Sequence, residues 1–201
     1  MAKLYFRYGA MGSSKTANAL MVRYNYIERG QKVILLKPRI DTRDGDKKIC
    51  SRIGLEAPCE YVDEFVKFAG ENWKDKKDAS AYAAVIIDES QFMTPQEVEF
   101  MAHLVDEFSL PVICYGLRTD FQSNMFPGSA RLFELADVIE QIPTVCWCGK
   151  RAHFNARVVD GQMVREGDQV FIGGNESYIA LCRKHFYRGQ FKPPVWEEAH
   201  F

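Results

Sequence analysis

The chain has 201 residues, of which 47% are hydrophobic and 26% are charged, and its formal net charge is −1. These values fit one globular domain, or a main domain with a small appendage, and argue against non-specific binding to nucleic acid or membrane surfaces. No apolar run reaches the roughly 18 residues that cross a bilayer, and the first residues lead into a strand pattern rather than a signal peptide. We therefore expect a cytoplasmic protein with no membrane and no nucleic-acid partner.

A glycine-rich stretch follows the first predicted strand (4–8) and opens a predicted helix: Gly9-Ala10-Met11-Gly12-Ser13-Ser14-Lys15-Thr16. Backbone N–H groups at such a junction point at phosphate, and the helix dipole adds attraction. Lys15 would reach the β- and γ-phosphates, and the Thr16 hydroxyl would ligate Mg²⁺. Ser14 replaces the second glycine of the usual pattern, which costs little only if its φ is negative. The alternative is an ordinary tight turn.

Strand and helix patterns alternate over the first 143 residues. The helix after the loop is predicted to end at Gly30 and to bury one face, formed by Ala17, Leu20, Met21, Tyr24 and Ile27. The other predicted strands span 33–36, 83–87, 112–116 and 138–142, and the other helices span 61–73, 94–108 and 128–135. The charged segment 41–48 is predicted to be a mobile surface loop. This alternation predicts an α/β fold with a mostly parallel sheet and flanking helices.

Two carboxylates, Asp88 and Glu89, follow the predicted central strand. The carboxyl end of such a strand lies beside the phosphate loop in an open α/β sheet, where ligands collect. Asp88 is expected to hold Mg²⁺, directly or through water, and Glu89 to accept a proton from the attacking oxygen. The alternative is a pair of solvated carboxylates at the end of a strand.

Six cysteines are present, and a reducing cytosol disfavours a disulfide framework. Cys146-x-Cys148 and Cys182-x-x-His185 supply four zinc ligands, and because four protein ligands fill a tetrahedral shell, the predicted zinc is structural. The alternative is a set of buried thiols with a surface histidine. The remaining cysteines are predicted to pack as small hydrophobes: Cys50, Cys59 and Cys114.

A second, smaller unit is predicted after Pro143, where glycines interrupt the chain and helical periodicity is lost. Between the two cysteine knuckles, residues 154–174 are predicted to be a long binding loop with few elements of its own. Its apolar members either wall a pocket or pack in the small core: Phe154, Val170, Phe171 and Tyr178.

Together these motifs resemble the type II (cellular-type) thymidine kinases, in a bacterial-like form, over nearly the whole chain. The most specific match is the segment 174–185, Gly-Asn-Glu-Ser-Tyr-Ile-Ala-Leu-Cys-Arg-Lys-His, and Asp88-Glu89-Ser90-Gln91-Phe92, residues 115–121 and Asp41-Thr42-Arg43 match in kind and order. The resemblance implies a P-loop (RecA-like) kinase domain over residues 1–143 and a small zinc-ribbon-like domain with a nucleoside-covering lasso loop over 144–191. Residues 192–201 would form a C-terminal tail.

The same resemblance implies an activity: Mg²⁺-dependent transfer of the ATP γ-phosphate to the 5′-hydroxyl of thymidine or deoxyuridine, giving the monophosphate in deoxynucleoside salvage. It implies that Glu89 is the general base. It also implies that Arg43 and Gln91, beside the phosphate loop, bind ATP or phosphate. The implied nucleoside-binding residues are Met11, Asp41, Phe92, Leu117, Phe121, Phe126, Asn155, Gln169, Phe171 and Tyr178. A homotetramer and feedback inhibition by dTTP are also implied.

Two other functions are compatible with the motifs. One is a P-loop ATPase module, in which Glu89 activates water and the zinc knuckle grips a partner; the absence of a Lys/Arg-rich face argues against nucleic acid as that partner. The other is a nucleotide-binding regulator without catalysis, suggested by Ser14 alone.

Overall fold

The computed structural model describes residues 1–43, 45–169 and 178–192. In chain order the elements are β1 (Leu4–Tyr8), α1 (Lys15–Glu28), β2 (Val33–Lys37), β3 (Lys48–Cys50), β4 (Glu56–Pro58), β5 (Glu60–Tyr61), α2 (Val62–Asn72), α3 (Lys76–Ala79), β6 (Ala84–Ile87), a 3₁₀ turn (Ser90–Phe92), α4 (Pro95–Phe108), β7 (Val112–Gly116), α5 (Pro127–Leu135), β8 (Val138–Gln141), β9 (Phe154–Val159), β10 (Gln162–Val164), β11 (Tyr178–Leu181) and α6 (Arg183–Tyr187).

The main sheet has six parallel strands in the order β5-β2-β6-β7-β1-β8. Its central strands β6 and β7 are buried along their whole length, as expected where helices cover both faces. One face packs against α2, α4 and α5, and the other packs against α1 and the β3–β4 hairpin. The predicted α/β class is therefore confirmed, and the carboxyl ends of β1 and β6 lie at one edge of the sheet.

The predicted buried face of α1 is wrong in part. Leu20 and Ala17 are buried as expected, whereas Met21, Tyr24 and Ile27 are exposed by 54%, 61% and 43%. The buried contact between α1 and the sheet is made by Ala19 and Leu20. A narrow face of α1 therefore covers the sheet. Periodicity identified an apolar stripe, but it could not say whether the protein's own sheet covers that stripe.

Residues 154–174, predicted to be a long loop, contain a β-hairpin formed by β9 and β10. Asp160 and Gly161 connect the strands, with φ of 48° and 72°. Two consecutive positive φ values are those of a type I′ turn, for which Asp-Gly is a preferred sequence. The Asp-Gly pair is therefore a local sequence signal for this hairpin, although β10 has only three residues.

The small unit has its own core. Strands β10, β9 and β11 form an antiparallel sheet, and Leu181 of β11 and Phe186 of α6 are fully buried in this core. Phe154 stacks on Phe186 at a centroid distance of 4.8 Å, so it belongs to this core and not to a pocket wall. The boundary between the two units stays a prediction.

The charged segment 41–48 leads into the unpredicted β3–β4 hairpin, whose Ile49 is buried against the sheet. Cys59 and Cys114 are buried as predicted, but Cys50 is only half-buried, with its thiol 3.7 Å from the Glu56 carboxylate. Among the described residues, no helix is both long enough and apolar enough to span a bilayer.

Candidate active site

The loop between β1 and α1 wraps around the Lys15 ammonium. Lys15 Nζ lies 3.2 Å from the Gly9 carbonyl, 3.0 Å from the Ala10 carbonyl and 3.4 Å from Ser13 Oγ. Burial lowers the pKa of Lys15, and the nearby carboxylates of Glu89 and Asp88 oppose that shift. A Cβ at Gly9 would stand 2.3 Å from Ser13 Oγ, so only glycine fits there. The sequence thus forms the compact strand-loop-helix junction that suits phosphate binding.

Ser14 immediately precedes α1 and has φ 58° and ψ 29°, in the left-handed region. Glycine adopts that conformation without strain, whereas another L-residue pays roughly 1–2 kcal/mol. The condition for a cost-free substitution, a negative φ at Ser14, is therefore not met. Ser14 nevertheless adopts the backbone conformation that a glycine would adopt. Its main-chain carbonyl accepts a hydrogen bond from Asn18 N, the first hydrogen bond of α1.

Asp88 follows β6 and is almost fully buried. Burial, and then the adjacent Glu89 charge, raise the pKa of Asp88 to about 7, against hydrogen bonds from Thr16 and from the Glu89 backbone. Among the described residues, Asp88 Oδ1 has no hydrogen-bond partner. A buried carboxylate oxygen without a partner, beside the Thr16 hydroxyl, is the donor set that Mg²⁺ prefers.

Glu89 is held from two sides. Its Oε1 lies 2.6 Å from Arg43 Nη2, and its Oε2 accepts from Gln91 Nε2 at 2.5 Å. Arg43 also donates to Asp41 Oδ1 at 2.7 Å. Glu89 is buried, but the Arg43 and Lys15 charges outweigh desolvation and lower its pKa. The carboxylate is therefore ionised and oriented, as a proton acceptor must be.

The backbone of Glu89 is also constrained, with φ 51° and ψ 35°. Gln91 completes the turn, because its Oε1 accepts from Leu117 N at 2.9 Å while its Nε2 donates to Glu89. Both ends of the Gln91 amide are thus engaged with Glu89 and with the loop after β7, and its expected role in phosphate binding stays a prediction. Such left-handed non-glycine residues are typical of functional sites.

A cavity of about 840 Å³ extends from the phosphate loop to the small unit. Lys15, Thr16, Arg43 and Glu89 line one end of it. Nine of the ten expected nucleoside-binding residues also line it: Met11, Asp41, Phe92, Leu117, Phe121, Phe126, Asn155, Gln169 and Tyr178. The tenth, Phe171, lies outside the described residues, as does Val170. The structure thus brings the two predicted groups of residues to one cavity.

Asn155 and Gln169 connect parts of this cavity. The Asn155 side chain accepts from Met11 N at 2.8 Å and donates to the Thr119 carbonyl at 3.1 Å. Gln169 Nε2 donates to Asp120 Oδ2 at 2.9 Å. Both amides therefore tie the small unit to loops of the main sheet.

The predicted metal ligands converge. The ligand atoms of Cys146, Cys148, Cys182 and His185 all lie within 4.8 Å of one another. His185 Nδ1 lies 3.4 Å from Cys146 Sγ and 3.5 Å from Cys182 Sγ, and the sulfurs of Cys148 and Cys182 are 3.9 Å apart. Zn–S and Zn–N bonds in a tetrahedron imply ligand separations of about 3.5–3.8 Å. The three separations above are close to these values, so the four residues form a donor set that suits zinc.

His185 is prepared for ligation by its neighbours. Its ring stacks on Trp147 at a centroid distance of 4.1 Å. Desolvation lowers its pKa, and the nearby Lys184, Arg188 and Lys150 charges lower it further, which favours the neutral imidazole that binds metal.

Comparison with known proteins decides the family. The thymidine kinase family model matches residues 2–186. The chain is 44% identical to a thymidine kinase of Legionella pneumophila over 94% of this chain and 91% of that protein, and 45% identical to one of Jannaschia over 97% and 100%. The chain belongs to the thymidine kinase family. It is thus an enzyme of a nucleotide-binding kinase family, and the resemblance noted in its motifs is confirmed.

Similarity to solved structures is weaker. A Bacteroides Pif1 bound to single-stranded DNA matches with a TM-score of 0.43 and 13% identity, covering 70% of this chain and 38% of that chain. A similarity of that size does not bear on the activity of this thymidine kinase family member.

Several cavity residues were not singled out from the sequence. Thr119 is buried, and its hydroxyl has no hydrogen-bond partner among the described residues, so it is available to a ligand in the cavity. Arg52 lies near Gly12 and lines the phosphate end. Neither residue belongs to a recognisable spacing pattern. A local signal exists only near Asp120, whose Oδ1 accepts from Gln122 N and Asn124 N, because aspartate commonly forms such turns with its own backbone.

A Lys/Arg-rich surface does exist in this thymidine kinase family member, although the near-neutral net charge suggested otherwise. An open cavity of about 580 Å³ on the small unit is lined by Lys150, Arg151, His153, Cys182, Arg183, Lys184, Tyr187 and Arg188. Net charge averages over the chain and conceals such local clusters. The absence of a nucleic-acid partner stays a prediction.

Proposed function

We propose that this protein transfers the γ-phosphate of Mg²⁺-bound ATP to the 5′-hydroxyl of thymidine or deoxyuridine. The observation that carries the proposal is the position of Glu89. This buried, ionised carboxylate lines the cavity between the phosphate loop and a wall of aromatic side chains. A hydroxyl held against that wall would meet both a proton acceptor and the terminal phosphate.

The phosphate end uses positioning and charge, since phosphoryl transfer requires little covalent chemistry of the protein. Backbone N–H groups of residues 9–15 and the Lys15 charge would hold the phosphates. Thr16 and Asp88 would hold Mg²⁺, which supplies positive charge to the phosphate oxygens when bound. Asp88 fits this role because one of its buried oxygens has no partner among the described residues.

Glu89 would take the proton of the nucleoside 5′-hydroxyl as that oxygen attacks. Gln91 fixes one carboxylate oxygen, and Arg43 stands at the other. Arg43 also lines the cavity, where its guanidinium is within reach of a transferring phosphate. Asp41 would hold Arg43 in place through its 2.7 Å hydrogen bond in addition to lining the nucleoside side.

The base would lie among the apolar cavity residues. Phe121 and Phe126 are buried, and Phe92 meets Phe126 edge-on at 5.6 Å. Met11, Leu117 and Tyr178 complete the apolar wall. We propose that the loop between the cysteine knuckles covers the nucleoside, with structural zinc holding both ends of that loop.

Feedback inhibition and a homotetramer are also proposed. Because one cavity joins the nucleoside and phosphate ends, the thymidine part of dTTP would occupy one end and its triphosphate the other, and dTTP would thereby inhibit. A homotetramer is supported by the exposed apolar residues on α1, namely Met21, Tyr24 and Ile27. Sedimentation equilibrium would test the tetramer, and inhibition by dTTP competitive with thymidine would test the feedback.

The test of the main proposal is transfer of labelled phosphate from ATP to thymidine, compared with ATP hydrolysis in the absence of nucleoside. Thymidine-dependent transfer is expected. Hydrolysis independent of thymidine would favour the ATPase module, and nucleotide binding without either reaction would favour the regulator.

Glu89→Gln assigns the chemistry within that assay. We expect ATP affinity to be retained and kcat to fall by about 10²–10⁴, the usual contribution of a general base. A Glu89→Gln enzyme with wild-type kcat would remove Glu89 from the mechanism. Glu99→Gln is the matched control, since Glu99 lies on α4 and pairs with Arg131 at the surface.

A further inference from the structure

Arg157 lies in the middle of β9, directly opposite Tyr178 of β11 in the antiparallel register. Its side chain is 6% exposed and does not line the nucleoside cavity. A buried guanidinium keeps its charge, so its surroundings must provide hydrogen bonds or aromatic faces. Arg157 has both.

One contact of Arg157 is with Phe121. The guanidinium carbon stands 3.7 Å from the centroid of the Phe121 ring, well inside the range of a cation–π interaction. Phe121 also lines the cavity, whereas Arg157 does not. Arg157 therefore contacts an aromatic residue of the cavity wall without lining the cavity itself.

The other contacts of Arg157 are with Tyr178 and with the chain beyond β10. Nε and Nη2 donate to the Tyr178 hydroxyl at 3.0 and 2.8 Å, and Nη2 donates to the Asp168 carbonyl at 3.0 Å. Because the hydroxyl oxygen accepts two hydrogen bonds, its own hydrogen is directed away from the guanidinium. Tyr178 also lines the cavity.

We propose that Arg157 is a positioning residue that fixes two aromatic walls of the nucleoside cavity, Phe121 and Tyr178, relative to each other and thereby limits the bases that fit. The inference rests on the proposed function, since it assigns these walls to a pyrimidine nucleoside. A planar group with several fixed donors can hold a ring face and a hydroxyl at once. Lysine, with a compact ammonium, cannot hold both.

The test compares Arg157→Met with wild type in the kinase assay. We expect the KM for thymidine to rise at least tenfold, with the KM for ATP unchanged and kcat within threefold. Discrimination against deoxyguanosine, measured as a ratio of kcat/KM values, should fall because the walls are no longer held at a fixed spacing. Arg157→Lys should not restore the thymidine KM.

Arg165→Met is the matched control. Arg165 is exposed, lies over the ring of the core residue Phe186 at 4.2 Å and donates to the Phe186 carbonyl, so it makes the same kinds of contact at the surface of the small unit. We expect its loss to lower thermal stability without changing the KM for thymidine. Equal KM effects in both variants would overturn the proposal, because they would reflect general loosening of the small unit.

A double-mutant cycle tests the route of the effect. If Arg157 acts through Tyr178, the KM increase in the pair Arg157→Met and Tyr178→Phe will be smaller than the product of the single increases. Multiplicative increases would overturn this route. Zinc content is measured in every variant, and a variant that retains zinc has kept its small unit folded.

Hydrogen exchange separates this proposal from the proposed function. Arg157→Met should accelerate amide exchange in residues 117–124 and 165–169, whichever nucleoside the wild type uses, whereas Arg165→Met should leave 117–124 unchanged. Unaltered exchange in 117–124 of Arg157→Met would overturn the positioning role. Failure of the wild type to phosphorylate thymidine would overturn the proposed function, and the exchange data would then decide the role of Arg157.

Discussion

Ser14 shows how one residue can depart from a motif and still adopt its backbone geometry. Its left-handed conformation places the helix start where the usual glycine would place it. The sequence could not reveal the sign of φ at Ser14. Serine usually has a negative φ, and it adopts a positive φ only where tertiary contacts require it.

Ser14→Gly is expected to raise the free energy of unfolding by about 0.5–1 kcal/mol. Removing the left-handed strain outweighs the greater chain entropy of glycine in the unfolded state. The melting temperature should rise by about 1–4 °C for a chain of this length. Ser109→Gly is a matched control, because Ser109 has φ 54° at the end of α4, away from the cavity. If ATP affinity changes in Ser14→Gly but not in Ser109→Gly, the conformation of the phosphate loop matters for binding. A lower free energy of unfolding in Ser14→Gly would contradict the strain argument.

Asp88 predicts a pH dependence of stability in Mg²⁺-free protein. Its folded pKa is raised to about 7, whereas an unfolded aspartate releases its proton near pH 4. Between these values the unfolded chain holds fewer protons than the folded protein, so the free energy of unfolding contributed by Asp88 falls as pH rises from about 4 to 7. Glu89, whose pKa is lowered, contributes its full stabilisation above its unfolded pKa and adds no slope from pH 5 to 8.

Urea unfolding at pH 5, 6, 7 and 8 would measure this slope. In wild type, the free energy of unfolding should decline as pH rises, and Asp88→Asn should remove this decline. The control Asp106→Asn, at an exposed position, should retain it. Parallel pH profiles for wild type and Asp88→Asn would show that Asp88 titrates normally.

At the scale of elements, Lys37 at the end of β2 holds the segment that carries Asp41 and Arg43. Lys37 is 0% exposed, and its ammonium donates to the carbonyls of Gly45 and Lys48, both at 2.8 Å. A buried ammonium without its acceptors is strongly unfavourable, so these bonds hold the loop against the end of β2.

Lys37→Met is therefore expected to release residues 41–48, to separate Arg43 from Glu89 and to lower kcat at least tenfold. Hydrogen exchange over residues 41–49 and steady-state kinetics would measure both effects. Lys47→Met is the control, because Lys47 is exposed and its pairs with Glu60 and Glu64 are of the surface kind that stabilises little. Unchanged exchange in Lys37→Met would show that other contacts hold the loop.

Most elements of the main sheet were predictable because each has a local cause. The helix predicted over 94–108 starts at a Thr94–Glu97 capping box, in which Glu97 N donates to Thr94 Oγ1 at 3.2 Å. The β3–β4 hairpin and the exposure of Tyr24 were not predictable, because they depend on which distant surface is available. In the site, the motif residues were found from spacing, whereas Thr119 and Arg157 stand out only by contacts between segments far apart in sequence.

At the scale of the whole molecule, the Cys/His cluster adjoins the sheet that carries the cavity residue Asn155. The ligands Cys146 and Cys182 flank the sheet whose strand β9 carries Asn155 and Arg157. A structural zinc contributes on the order of 10 kcal/mol to folding in small modules, so its removal should disorganise this sheet.

We expect Cys182→Ser to lose zinc and to bind thymidine at least tenfold more weakly, with a smaller loss of ATP affinity. Metal analysis and titration calorimetry would measure both. Cys50→Ser is the control, since Cys50 lies outside the cluster. Undiminished thymidine affinity in zinc-free Cys182→Ser would show that the metal does not support the nucleoside site.

The amide of Asn155 joins the phosphate loop at Met11 to the nucleoside loop at Thr119. A side chain that touches both substrate sites makes their occupancies interdependent, and such coupling is reciprocal by thermodynamic necessity. Whatever factor an ATP analogue applies to thymidine affinity, thymidine must apply to the affinity for the analogue. We therefore expect the two proposed substrate sites to be coupled through Asn155, and Asn155→Ala should bring that shared factor towards one.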